Sequence, residues 1–502
     1  MEFFSHRDGR WTNPFRLAVA PLTWLLLATA AVVRLRGWTV DDFYITYRYA
    51  ENLAGGGGFV YNPGERVFGL SDPGLGLVLA LLRCITRAPV EWLAAALFGA
   101  SLVGCATLLL REGAGTGRSW ETILGGSFLV TSSFLWSNQG AAAPLTLLAL
   151  LAAAWIADRR PWLAGLLAGF AVWLRPDAAV GAALLLLLLL LDRQRLPWRT
   201  GIATAAMIAL GLLLAWGWFG TPLPGTLHAK IEMAQATSEA AVGAEGFWRR
   251  GVLPLERHFG PAWLLFVALG VAGLWPFAQS MRRLGRLTVL YGSTLAVLYP
   301  WLGVPFFSWY AFLPVAVLLY GLPFGVFGVV RAVASSTPAT WRPWTAAAAA
   351  VLAAGLLVLP AGPALRTSLR TYQGFAPPPR LVVYRQAAQW LRESSRPQDS
   401  VAYVEIGVLG YYSRRPLEDL LGLVNPRVLP FVSRNDLAGG FLTKPTDYVI
   451  FHSRGRMAPI VKAPWFPGAY EEVARFKDRG FRGGSLVIYH RRPGATLPPP
   501  AG

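Results

Sequence analysis

The chain has 502 residues, of which 54% are apolar and only 15% charged, with 21 Trp, 27 Phe and a mean hydropathy of +0.43. Soluble domains carry roughly 25% charge, so composition excludes an ordinary soluble protein and puts most of the chain in lipid. The formal charge of +19 would point to nucleic acid in a soluble protein, but here many arginines fall in short turns between apolar runs, where they set membrane orientation.

The polar, basic N-terminus precedes an apolar run without a small-residue cleavage site, which predicts a retained first span over about residues 15–33 with its N-terminus in the cytoplasm. The loop that follows, 34–89, then faces outside. Its second half, 67–88, is broken by Pro73 and nearby glycines and reads as a re-entrant or juxtamembrane helix. Later spans are predicted at about 90–110, 119–136, 143–157, 162–174, 177–191, 200–219, 262–279, 286–304, 309–330 and 344–362. With these boundaries Arg111/Arg118, Arg159/Arg160, Arg193/Arg195/Arg199, Arg282/Arg283/Arg286 and Arg331/Arg342 all face the cytoplasm. The expected fold is an α-helical polytopic membrane protein of about eleven spans over 1–362, a linker at 363–380 and a small external α/β domain at 381–495. Cys84 and Cys105, the only cysteines, lie in apolar segments without metal-ligand spacing and read as packing residues.

On this topology the outer face collects the opening loop, the turns at 136–145, 175–177 and 304–310, the loop 220–258 and the tail. These are also the places where polar residues interrupt apolar sequence, and ionisable groups at membrane depth are costly and usually functional. Prolines at the start of 220–258 break the preceding span before a helix carrying His228 and Lys230 along the membrane surface; a snorkelling interfacial lysine is the plain alternative for Lys230. The tail reads as a helix near 381–395 and strands near 399–404, 446–452 and 485–490, around a Gly- and aromatic-rich middle. No internal repeat or nucleotide-binding fingerprint is present.

The stretch with most chemistry is 41–66, DDFYITYRYAENLAGGGGFVYNPGER. If 41–53 is helical, Asp41, Tyr44 and Arg48 share one face. A carboxylate at the water boundary suits a general base that takes a proton from a hydroxyl. Its neighbour Asp42 suits a divalent cation, magnesium or manganese, bound through oxygen. Arg48, Arg175 and Lys230 suit a phosphate. An acid pair that only caps an interfacial helix is the alternative.

The motif D-D-x-Y-I-x-x-R-Y-A-x-N-L-x-x-G-x-G-x-V-Y-N-P-G-E-R-V, Asp41 to Val67, closely resembles the first external loop of GT-C fold glycosyltransferases that use polyprenyl-phosphate sugars, nearest the actinobacterial terminal arabinofuranosyltransferases. Matches continue in order: Leu174-Arg175-Pro176-Asp177, the element from Gly220 to Lys230, Trp309-Tyr310 with Pro314, and Glu405-Ile406-Gly407, Gly410-Tyr411-Tyr412, Asp419, Gly422-Leu423 and Asn425 in the tail. Relatives commonly carry a glutamate where this chain has Ala142.

The resemblance implies a bacterial cytoplasmic-membrane enzyme that moves a sugar, such as a pentofuranose, with inversion. The sugar passes from a polyprenyl-phosphate donor to an extracytoplasmic glycan, lipid or protein, and no nucleic acid is involved. Asp41 is the expected base, with Asp42 supporting it or holding metal. Arg48, Arg175, Lys230 and His228 are the expected contacts of the donor phosphate. Tyr44, Asn62, Glu65, Trp309 and Tyr310 are expected to shape the sugar and acceptor pocket, with Glu405 and Asp419 bracing the tail over it. The rivals are a non-catalytic lipid-linked-sugar binder or assembly partner, and a lipid-sugar transporter.

Overall fold

In the computed structural model, residues 14–35, 37–226, 229, 247, 251, 255–303, 306–336, 342–373, 377–452 and 455–499 are described. In chain order the first helices are α1 (Pro14–Leu35), α2 (Phe43–Ala54), α3 (Pro73–Thr86), α4 (Val90–Gly113), α5 (Ser119–Thr131), α6 (Ser133–Trp136), α7 (Ala143–Ile156), α8 (Pro161–Leu174), α9 (Ala178–Arg193) and α10 (Trp198–Phe219). There follow α11 (Trp263–Ser280), α12 (Arg282–Trp301), α13 (Phe312–Ser335) and α14 (Arg342–Gln373). Ten of the eleven predicted spans each fall on one helix, and the span predicted at 119–136 is divided between α5 and α6 by the extended Ser132. Among the described residues five helices are long and apolar enough to cross a membrane, and three shorter apolar ones, α3, α7 and α8, accompany them. The segment 67–88 forms only the 14-residue α3, and α14 continues to Gln373, past the predicted end of its span.

The chain packs into two compact units. The first comprises Met1–Arg36, Ala94–Ala209 and Ala241–Phe375, and its regular elements among the described residues are all helices. Its helices meet where side chains vanish: a Cβ on Gly270 would press on Leu318, and one on Gly273 would strike the backbone at Gly325, so α11 and α13 approach at small residues as membrane helices do. Large apolar residues such as Leu26, Trp275 and Trp301 stay exposed, as surfaces bathed in lipid require. At one end of these helices Asp158, after α7, accepts from Arg193 of α9 and Arg283 of α12, and Asp192 accepts from Arg283 and Arg286. Arg193, Arg283 and Arg286, three of the arginines predicted to share the cytoplasmic side, therefore lie together at one end of these helices.

The second unit comprises Gly37–Leu93, Leu210–Ala240 and Ala376–Gly502, so the opening loop packs with the tail. The tail begins with α15 (Pro379–Ser394), β1 (Val401–Tyr403), α16 (Gly407–Ser413) and β2 (Leu417–Asp419), and then, after short helical turns, forms β3 (Tyr448–His452), β4 (Tyr470–Phe476) and β5 (Leu486–Arg491). The sheet order is β2-β1-β3-β5-β4. Strand β1 runs parallel to β2 and β3, in register Tyr403↔Asp419 and Ala402↔Val449, while β5 is antiparallel to β3 and β4. All three residues of β1 are buried, which is why this central strand reads as a continuous apolar run. Leu381, Tyr384, Ala387, Ala388 and Leu391 turn the apolar face of α15 inward.

Candidate functional site

The face of α2 foreseen from its spacing is the face the tail covers. Asp41 sits in the turn before α2, its carbonyl bonded to the Tyr44 N–H at 3.0 Å. Its carboxylate accepts from the backbone N–H groups of Gly407 (3.1 Å) and Val408 (2.9 Å) in the first turn of α16. A Cβ on Gly407 would overlap the Asp41 carbonyl, and one on Gly410 would overlap the Tyr61 hydroxyl. Gly407 and Gly410 of the tail motif are therefore contact points for the opening loop.

Further along the same face Arg48 is 4% exposed. Its guanidinium donates to the carbonyls of Tyr61 (2.8 Å) and Arg415 (2.8 Å) and to Asn62 Oδ1 (3.1 Å), and it lies over the Tyr61 ring. The Tyr61 hydroxyl donates to the Ile406 carbonyl at 2.7 Å. Asn62 pairs with β2 through both ends of its amide, Nδ2 to the Leu417 carbonyl at 2.9 Å and Oδ1 from the Leu417 N–H at 3.0 Å. Glu65 accepts from Asn62 and from Lys444, which also pairs with Glu418. Tyr44 is buried; its hydroxyl donates to Glu91 at 3.0 Å and accepts from Arg385 at 3.0 Å, and its ring packs on Tyr411 and Tyr412. Arg48, Tyr44, Asn62 and Glu65 thus join the loop to the tail. Asp419 is fully buried and accepts from the Leu421 and Val424 N–H groups at 2.8 and 2.9 Å, closing the loop after β2.

Asp41 and Asp42 remain partly exposed. Asp42 makes no capping bond to α2, so its carboxylate is not committed to the helix. Burial, then the nearby Glu405 carboxylate and Asp42, push Asp41 up to about 7, against the pull of Arg380 and the Val408 N–H. Glu405 follows β1; it pairs with Arg380 of α15 and accepts from the Tyr384 hydroxyl, which lies 3.1 Å from that of Tyr403. Arg380 is a site residue that sequence reasoning missed. It sits in a Pro-rich stretch that read as linker, and only the fold brings it to Glu405.

In the other unit the Arg-Pro-Asp turn between α8 and α9 closes on itself. Arg175 Nε donates to both Asp177 carboxylate oxygens at 3.1 Å and Nη2 donates to Tyr299 at 3.2 Å, while Tyr291 donates to Asp177 at 3.1 Å. Tyr299 also donates to Asp177 and packs against Tyr310, and Trp309 stacks on Phe307. Arg175 and Tyr310 therefore meet through Tyr299, and the arginine's charge is matched by its own neighbour. Ala142 is the buried N-cap of α7. His228 and Lys230 lie outside the described residues. Among the described residues no group of three or more His, Cys, Asp or Glu is arranged to hold a metal ion.

A domain of unknown function, DUF8728, matches residues 373–492. None of the curated proteins matches the chain. Among solved structures it is similar to ArnT from Cupriavidus metallidurans in the apo state, with a TM-score of 0.59 at 13% identity over 93% of this chain and 97% of that one. The same protein bound to undecaprenyl phosphate gives a TM-score of 0.57 at 14% identity, covering 95% and 99%. The apo oligosaccharyltransferase of Archaeoglobus fulgidus gives 0.53 at 13% identity, covering 97% and 75%. The chain has the GT-C fold, a multi-pass helical membrane domain with a small C-terminal α/β region.

Proposed function

We propose that the protein is a membrane glycosyltransferase that moves a sugar, such as a pentofuranose, from a polyprenyl-phosphate donor to an acceptor on the outer side of a bacterial cytoplasmic membrane. The neighbour solved with undecaprenyl phosphate supports the donor class. The observation that carries the proposal is Asp41: a partly exposed residue whose carboxyl is oriented by two backbone N–H groups and raised to about 7, burial being the first cause. A base with that affinity is matched to hydroxyl activation near neutral pH.

In the proposed step the acceptor O–H gives its proton to Asp41 as its oxygen bonds to the anomeric carbon. The bond from that carbon to the phosphate oxygen breaks, and the electron pair leaves with polyprenyl phosphate. One displacement inverts the anomeric centre. Arg175, Lys230 and His228 are the proposed contacts of the phosphate, and Trp309 and Tyr310 of the sugar. Arg48, Tyr44, Asn62 and Glu65 are given a different task, holding the loop that carries Asp41 against the tail. Asp42, with its carboxylate uncommitted, is the residue that would hold a divalent cation if one is required; a cation there would offset charge on the departing phosphate.

The test uses full-length protein in nanodiscs with a labelled pool of polyprenyl-phosphate sugars and measures released polyprenyl phosphate. Asp41→Asn is expected to lower turnover about 10²- to 10⁴-fold, the usual worth of a general base, and wild-type kcat/KM is expected to fall below about pH 7. Tight donor binding with no turnover in the wild type would sink the enzyme and favour a lipid-sugar binder.

A further inference from the structure

Beside Asp41 the tail presents Arg380 and Glu405, and His452 lies next to those two; the three come from three separate elements. Arg380 comes from the first turn of α15, Glu405 from the turn after β1 and His452 from the end of β3. Because β1 and β3 are parallel, Glu405 and His452 lie at the same, carboxyl, end of the sheet, where crevices of α/β sheets take ligands. The Arg380 side chain is 51% exposed and that of Glu405 27%, while His452 is half-buried, its Nδ1 buried without a hydrogen-bond partner.

The base beneath them is rigid. Tyr384 and Tyr403 are buried, and their rings join those of His452 and Phe481 in a closed set of edge-to-face contacts with centroids 6.0 to 6.3 Å apart. The Arg380 guanidinium lies 5.3 Å from the Tyr384 ring and pairs with Glu405, whose carboxylate also takes the Tyr384 hydroxyl. The heads are thus held without use of all their hydrogen-bonding capacity.

We propose that Arg380, Glu405 and His452 form an acceptor subsite for a neutral, hydroxyl-rich glycan, which they orient toward Asp41. Guanidinium only donates, a carboxylate only accepts, and a neutral imidazole does one of each. Burial holds His452 below the usual histidine range, in that neutral form. Such a mixed set suits neighbouring hydroxyls, which both donate and accept. Charge selects further: Glu405 already pairs with Arg380, which leaves no uncommitted cation in the set to favour an acceptor bearing uronate or phosphate. The subsite rests on the transfer reaction above for its purpose, but its ligand can be measured independently.

Full-length protein in nanodiscs is titrated with neutral pentofuranose and hexose trisaccharides and with the same trisaccharides capped by glucuronate, with saturation-transfer NMR as readout. Undecaprenyl phosphate binding is followed separately by native mass spectrometry. We expect binding of a neutral trisaccharide, at least tenfold weaker binding of its uronate form, and at least tenfold loss in R380Q, E405Q and H452N with undecaprenyl phosphate binding unchanged. Three near-isosteric variants on three elements guard against one that fails to fold. No neutral trisaccharide bound, tighter binding of the uronate form, or neutral binding unmoved in all folded variants overturns the subsite. Glycan binding without sugar transfer removes the enzyme and leaves the subsite; transfer with acceptor KM unmoved by the variants removes the subsite and leaves the enzyme.

Discussion

Asp41 and Asp419 are carboxyls that the fold makes reluctant to ionise, and the consequence is a pH dependence of opposite sign for stability and for activity. Asp41 is raised to about 7 and Asp419 to about 6 from an ordinary value of 3.8, burial being the first cause in each. Between about pH 4 and 7 the folded protein therefore holds protons that the unfolded chain has released, so stability falls as pH rises through that window. Thermal midpoints measured in detergent should decline from pH 4 to 7, and Asp41→Asn should make the decline shallower; an unchanged slope would show that Asp41 titrates normally. Transfer should rise over the same window as the base ionises. The acid pair was legible in sequence because two adjacent carboxylates after an apolar span have no plain reason to be there. Glu405 as the neighbour that helps raise Asp41 was not, because the two are separated along the chain by most of the protein and only the loop-to-tail contact brings them together.

At the scale of elements, the opening loop and α16 are two halves of one contact. The spacing of Asp41, Tyr44 and Arg48 correctly gave a shared face, but the face packs on the tail, and of the three only Asp41 remains partly exposed. Arg48→Met removes bonds to the Tyr61 and Arg415 carbonyls and to Asn62, each of the charged kind worth about 1.5–3 kcal/mol. We expect a loss of roughly 3 kcal/mol or more, read as a lower thermal midpoint with earlier proteolysis of the tail. Gly410→Ala should act at the same contact by overpacking against Tyr61, at about 1–3 kcal/mol. If either variant keeps wild-type stability but loses donor binding, Arg48 or its surroundings serve the phosphate after all. Strands β2 and β4 escaped sequence reading for physical reasons. β2 is three residues long and two of them are acids, while β4 is a charged edge strand, YEEVARF, of the kind that resists further pairing.

For the whole molecule, the arginine-rich turns gave an orientation with the N-terminus inside and the tail outside, and the bundle gathers Asp158, Asp192, Arg193, Arg283 and Arg286 at one end. In a Cys84→Ser, Cys105→Ser background, a membrane-impermeant maleimide should label Lys477→Cys from outside intact spheroplasts and should reach Arg195→Cys only after lysis. The reverse pattern would invert the topology and put Asp41 on the wrong side for an external acceptor. By itself the sequence determined the membrane class, the helices and the stretch that carries the acids, because hydrophobic length, charge in turns and local spacing act over short range. The tertiary structure alone decided that the opening loop belongs with the tail, that Arg48, Asn62 and Glu65 hold that contact, and that Arg380 and Glu405 gather beside Asp41 with His452 next to them. Hydrogen bonds between segments more than three hundred residues apart leave no local periodicity to read.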